Sequence, residues 1–226
     1  MYLIEEQESL DHFLSDIKNE ACIAVDTEFA RVNTYYPKLC LVQIATPSLI
    51  ACIDCLSDID LSGLWEIIFD EKIEKIMHSC SQDIEIFFLN KQDIPQNIFD
   101  TQIAYAFLGK EFSIAYKDLV LNMLGVEVQK KETRSNWMRR PLSSSQLDYA
   151  ASDVEFLLEI FSLQKEMLTK SNKYNQFIEE IDFQLDLQNK GYEDEQKNGL
   201  LNRNPITISK QEEKMFLKKL QESVLD

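Results

Sequence analysis

Three apolar runs follow one another at short intervals near the start of the chain: Cys22–Phe29 (CIAVDTEF), Leu39–Thr46 (LCLVQIAT) and Leu49–Cys55 (LIACIDC). Pro37 and the Pro47-Ser48 pair punctuate them. Such runs are too short for helices and read as strands. A parallel crossover needs a dozen or more residues, so connections this short favour antiparallel pairing. A three-stranded antiparallel core is the strongest constraint on the fold.

The rest of the chain dresses that core. Leu3–Asn19 reads as a strand-like start followed by a short amphipathic helix, Leu61–Phe69 as a helix and Lys75–Cys80 as a fourth strand. Ser81–Leu89 is helical, and Asn97–Asp100 follows Pro95 as a short fifth strand. The pattern then turns helical, over Thr101–Leu108 and over Ile114–Leu124, the second stopped by Gly125. Val126–Pro141 has no clean period and reads as loop. A long helix starts near Ser143, where Ser143-Ser-Ser-Gln146 has the spacing of a capping box. Its buried stripe is expected at Leu147, Ala151, Val154, Leu158 and Phe161. Lys190–Asn204 is polar enough to be a linker, and Ser209–Val224 a charged helix. The expected fold class is α/β: a mixed sheet of five to six strands flanked by helices, with a catalytic part over residues 1–170 and a short helical tail over 171–226.

Composition supports one packed domain, since 45% of the residues are hydrophobic. The first residues, MYLIEEQESL, lack the layout of a signal peptide, and no apolar run approaches a bilayer span. A cytoplasmic protein is the expectation. Five cysteines fit it, an odd number lying mostly in apolar runs. Cys52 and Cys55 form one C-x-x-C pair with only Cys80 as a further partner, short of four zinc ligands, so core packing is the better reading. A net charge of −16 argues against a nucleic-acid binder. Yet Val126–Pro141 holds five basic residues against two acidic ones, enough for a local phosphate track.

Within the first strand, Asp26 and Glu28 are two apart and share a face, while Ile23, Val25 and Thr27 point the other way. Adjacent carboxylates repel, and a hard divalent cation relieves the repulsion. Asp83 opens a helix, where the dipole alone would favour it. Tyr149 and Asp153 are four apart on the Ser143 helix and share a face, a phenol and a carboxylate able to orient a water. Each signal is weak alone. Their order is informative: a strand-borne D-x-E, an Asp beginning a later helix, and Y-x-x-x-D on a long helix.

In this order, and in the surrounding stretches, the chain resembles the DEDD exonucleases of the tyrosine-containing branch, and within them ribonuclease D. The likeness runs from about Cys22 to Leu168. It takes in VDTEF (Val25–Phe29), YYPKLCLVQI (Tyr35–Ile44) and HSCSQDIEIF (His78–Phe87). It continues through IFDTQIAYAFLG (Ile98–Gly109) and SNWMRRPLSSSQLDYAASDVEFL (Ser135–Leu157). The resemblance implies a ribonuclease-H-like fold and metal-dependent hydrolysis of single-stranded RNA from its 3′ end to nucleoside 5′-monophosphates, with transfer-RNA precursors among the substrates. It implies metal ligands at Asp26, Glu28, Asp83 and Asp153, holding two divalent ions (magnesium or manganese), and a water-positioning tyrosine at Tyr149. On this view Asp26 bridges the ions, Glu28 and Asp153 lie on the nucleophile side, and Asp83 serves the second ion, directly or through water.

Phe29 and His78 are expected beside the terminal nucleotide, although Phe29 equally suits the core. Asp100 is expected to cap the helix after it rather than to bind metal. Arg134 and Arg139 are candidates for phosphate contact, Lys130 and Lys131 for either phosphate or surface carboxylates. Trp137 either stacks on a base or an arginine, or anchors the loop in the core. Ribonuclease D proteins often carry helical nucleic-acid-binding domains after the catalytic part; Ser171–Asp226 is too short and acidic for such a pair. Two other readings stay open: a DNA exonuclease with the same chemistry, and a non-catalytic RNA-binding protein.

Overall fold

The computed structural model describes residues 2–31, 36–128 and 135–197, the side chains of 195–197 excepted. Six strands form one mixed sheet: β1 (Tyr2–Ile4), β2 (Cys22–Ala30), β3 (Lys38–Ala45), β4 (Ile50–Asp54), β5 (Glu74–Met77) and β6 (Ile98–Asp100). Their spatial order is β1-β4-β3-β2-β5-β6. The three apolar runs are its antiparallel centre, as their short connections require. β5, β6 and β1 join in parallel, through crossovers that carry α1 (Gln7–Ile17), α2 (Ser62–Ile68) and α3 (Ser81–Lys91). The strand-like start is the sixth strand, pairing beside β4.

The helical half comprises α4 (Thr101–Phe107), α5 (Tyr116–Leu124), α6 (Ser144–Glu155), α7 (Leu157–Lys170) and α8 (Tyr174–Lys197). Asp100 caps α4 as expected, accepting from the N–H groups of Gln102 and Ile103. Gly125 ends α5 at φ 72°, a conformation glycine adopts freely. The capping box is present: Ser143 accepts from the Gln146 N–H while the Gln146 side chain accepts from the Ser143 N–H.

Two expectations need correction. The long helix is two. The break falls at Phe156, whose backbone is at φ −103°, ψ −2° and whose N–H reaches the Tyr116 hydroxyl at 3.3 Å. This break shifts the buried stripe beyond it to Leu157, Ile160 and Phe161, leaving Leu158 half-buried. The expected linker from Lys190 is helix as far as Lys197, because α8 has a core to dock on. Phe177, Ile181, Leu185 and Tyr192 are buried, and Tyr192 stacks on Phe88 of α3 at 4.7 Å. Residues 198–204 of that linker and the Ser209–Val224 helix lie outside the described residues. No described helix is long and apolar enough to cross a membrane.

Candidate active site

β2 extends past the end of β5, which pairs only with Cys22–Ala24. The Asp26–Glu28 stretch therefore lies beyond the point where β5 turns into α3. A register shift between Glu28 and Phe29 ends the alternation, a bulge of the kind that re-aims side chains beside functional sites. α6 packs across β2, β3 and β4. Its buried residues include Ala150 and Ala151, small enough for the helix to lie close. Asp153 is thereby brought to the D-x-E pair.

The carboxylates of Asp26, Glu28 and Asp153 each have an oxygen within 4.8 Å of the others, the only such group of three metal-ligating side chains among the described residues. Neither Asp26 nor Glu28 has a basic partner there. Burial, then the charges of Asp83, Asp153 and Glu28, hold the Asp26 carboxyl well above the usual range. Burial, then Asp153 and Asp83, push Glu28 up to about 8. Three hard oxygen donors at this spacing, crowded enough to retain protons, fit a divalent cation.

Asp83 stands outside that trio. It is buried on the first turn of α3 and accepts a hydrogen bond from the Thr27 hydroxyl, on the face of β2 opposite Asp26. Burial raises its carboxyl to about 7, although the Thr27 hydroxyl pulls it back down. Asp100, besides capping α4, accepts from the N–H groups of Ser79 and Cys80 at 3.1 and 2.8 Å. It thus shapes the turn, with Ser79 at φ 57°, that delivers α3 and Asp83. Thr27 and this second duty of Asp100 were not read from the sequence. Neither follows from spacing, because both depend on partners far along the chain.

Tyr149 is half-buried on α6, one turn before Asp153. Burial, the Asp153 and Glu28 charges, and a hydrogen bond to Asp153 raise its phenol, so it stays protonated and works as a donor. Beside these residues opens a cavity of about 390 Å³. Asp26, Glu28, Tyr149 and Asp153 line it together with His78, Ser79, Gln102 and Ser113–Tyr116. The second group is stitched together. The Ile114 carbonyl accepts from Gln102 Nε2 at 2.9 Å and meets His78 Nε2 at 3.1 Å, while His78 Nδ1 meets the Thr101 hydroxyl at 2.9 Å. His78 lines the cavity, and both of its ring nitrogens already serve the protein.

The remaining expected contacts divide. Phe29 packs against the core with the Arg31 guanidinium 5.6 Å above its ring, away from the cavity wall. Trp137 is 5% exposed and packs with Cys40, Leu41, Cys52, Leu142 and Ala150, its ring 6.2 Å from that of Tyr149. This packing favours the anchor over base stacking. Burial among those side chains leaves its face unavailable to a nucleotide. Arg139 is exposed. Lys130, Lys131 and Arg134 lie outside the described residues. Cys52 is a core residue under α6, and Cys80 is buried before α3.

Known proteins are similar to this chain in sequence and fold. Ribonuclease D of Granulibacter bethesdensis is 38% identical over 180 residues, covering 79% of this chain and 46% of that one. The crystal structure of Escherichia coli RNase D superposes with a TM-score of 0.77 at 35% identity, over 81% of this chain and 49% of that one. The catalytic core of RRP6 from Trypanosoma brucei gives a TM-score of 0.71 at 27% identity, over 79% and 50%. The fold is therefore ribonuclease-H-like, as in RNase D. The chain spans about half the length of the curated relatives it matches. Residues 1–169, a span that holds the sheet, the acidic trio and Tyr149, match the 3′-5′ exonuclease family, and the chain belongs to that family.

Proposed function

We propose that the protein is a 3′→5′ exoribonuclease that hydrolyses RNA ends to nucleoside 5′-monophosphates. The observation that carries this is the convergence of Asp26, Glu28 and Asp153 beside Tyr149 in the lining of one cavity, in a chain of the 3′-5′ exonuclease family. Asp26, Glu28 and Asp153 would hold a magnesium or manganese ion, and Asp83 would complete a second position next to Asp26. Bound divalent ions supply positive charge for activating water and for neutralising the leaving 3′ oxygen. The protein's own work is positional. Tyr149, kept protonated, donates a hydrogen bond that orients the attacking water in line with the terminal phosphodiester. The wall fixed by His78, Gln102 and Ile114 gives the last nucleotide a rigid seat, with Ser79 and Ser113 lining the same cavity. Such preorganisation counts because little other chemistry is asked of the protein.

The E. coli neighbour is described as an exoribonuclease involved in structured RNA processing. By extension the substrates proposed here are RNA 3′ ends, with transfer-RNA precursors among them. The test is nucleotide release from 5′-labelled RNA and DNA oligomers of one sequence, with magnesium, with manganese and with chelator. Stepwise shortening of RNA from its 3′ end, dependent on metal and slower on DNA, is the expected result. Equal rates on both sugars would remove the ribonuclease assignment while leaving the exonuclease one. Shortening in chelator would remove the metal mechanism.

A further inference from the structure

β3 is the central strand of the antiparallel core, and from Leu39 to Ala45 every residue is apolar except Gln43. Gln43 is fully buried, and neither its Nε2 nor its Oε1 has a hydrogen-bond partner among the described residues. A buried carboxamide with nothing to bind is costly, and an apolar side chain of the same size would stabilise the strand. Retention of the amide here points to a partner outside the resting set of hydrogen bonds.

The register identifies that partner. Gln43 lies directly opposite Asp26 on β2 and directly opposite Cys52 on β4. Residues opposite one another share a face, with Cβ atoms about 4.5–5.5 Å apart, well within reach of a glutamine amide. Cys52 offers only a thiol, a weak hydrogen-bonding group. The helix above this face buries Ala150, Ala151 and Val154, which bring no polar atom, and Gln146, whose carboxamide is engaged at the helix cap. The strong acceptor in the row is the Asp26 carboxylate.

We infer that Gln43 is a positioning residue for the metal centre: its Nε2–H group steadies the Asp26 carboxylate from the neighbouring strand when that carboxylate holds a divalent ion. Side chains behind metal-bound carboxylates orient them, and their loss weakens metal affinity about 10- to 100-fold. The inference rests on the metal reading of Asp26, Glu28 and Asp153.

The test is calorimetric titration of manganese into metal-free protein, without RNA. It compares the parent with Gln43→Met, Gln43→Val and Leu41→Met. Valine suits a central strand and guards against a methionine variant too crowded to fold. Leu41→Met disturbs packing on the same face without touching the amide. The expected result is about 10- to 100-fold weaker manganese binding in both Gln43 variants. Parental affinity in Leu41→Met, and a metal-free melting temperature in Gln43→Met at or above the parent's, complete the expected pattern. Parental affinity in a folded Gln43 variant would make the residue a mere core filler. Equal losses in all three variants would assign the effect to packing, overturning the role. A parent protein that binds no manganese would overturn the metal reading itself, and this inference with it.

Discussion

Glu28 on β2 and Asp54 on β4 stand in one row of the sheet, with Leu41 of β3 between them. Asp54 is 1% exposed and the Arg140 guanidinium grips both of its oxygens. The same guanidinium donates to the carbonyls of Trp137 and Cys40 at 2.7 and 3.1 Å, tying the loop before α6 to the sheet. Glu28 has no basic partner among the described residues; its neighbours are Asp26, Asp83 and Asp153, and it holds its proton up to about 8. A buried charge with a partner is architecture, and here it also seats the helix that carries Tyr149. A cluster of like charges kept without one is a place left for a cation from outside. The two carboxylates should therefore answer oppositely to neutralisation.

The largest contrast should appear in the acidic trio. Asp26→Asn, Glu28→Gln and Asp153→Asn are each expected to abolish turnover, and pairs should cost little more than the worst single change, since the three act as one unit. In chelator, Asp26→Asn should be as stable as the parent or more so, because a repulsion has been removed. Nucleotide release and urea unfolding check the two halves. A destabilised metal-free Asp26→Asn would erase the distinction from Asp54. Tyr149→Phe should lower kcat by about 10²- to 10⁴-fold if the phenol orients water. A parental rate would reduce Tyr149 to a packing partner of Trp137.

On the paired side, Arg140→Ala leaves Asp54 buried without its cation. A loss of about 3–5 kcal/mol in folding free energy is expected, the usual cost of breaking a buried pair from one end. It would be read from the urea midpoint at unchanged slope. A loss below about 1 kcal/mol would place this pair with surface salt bridges and remove its architectural role.

How much of this was legible in the sequence depends on the range of the interaction. Periods of two and four put Asp26 with Glu28, and Tyr149 with Asp153, on shared faces, while their union in one site was what the resemblance to ribonuclease D implied. The capping box at Ser143 and the Asp100 cap were local for the same reason. The break at Phe156 was hidden because the Tyr116 hydroxyl that meets its N–H lies forty residues away in sequence. The Arg140–Asp54 pair spans 86 residues, and without it nothing in the basic segment marks Arg140 as structural. The linker reading of the residues after Lys190 was overridden by docking of α8 on α3, where Gln188 donates to the Ser81 carbonyl at 2.8 Å. Composition favoured a linker, and tertiary packing made a helix.

The pH dependence of stability sharpens the contrast further. Glu28 and Asp83 titrate near about 8 and 7 in the folded metal-free protein, against about 4 in the unfolded chain. Between those limits the folded state binds more protons than the unfolded one. Their contribution is thus full below about pH 4 and is lost as pH rises through about 7 to 8. Metal-free protein should lose stability between about pH 6 and pH 8.5, and Asp26→Asn should flatten the fall. Saturating manganese, which binds the ionised carboxylates, should stabilise more at the higher pH. Urea unfolding in chelator and in manganese measures both slopes. A metal-free protein more stable at the higher pH would show that these acids are not crowded.

Arg139 and Arg140 carry the same comparison into the basic loop at smaller scale. Arg140 is spent on Asp54. Arg139 is exposed and its side chain has no ion pair among the described residues. Its backbone is nevertheless held: its N–H donates to the Asn136 carbonyl at 3.1 Å and its own carbonyl accepts from Arg140 at 2.8 Å. With Trp137 buried beside Tyr149, the loop offers a free guanidinium from a fixed base near the catalytic helix. A planar fork on a fixed base suits phosphate oxygens. Arg139→Ala is expected to weaken binding of a short RNA and to lower the salt slope by up to about 0.7 for a single strand. The measurement is RNA affinity at several salt concentrations in an Asp153→Asn background, which removes cleavage. Arg139→Ala should leave the urea midpoint in place, unlike Arg140→Ala. If it moves the midpoint and not the salt slope, the free arginine is structural after all, and RNA enters over another surface.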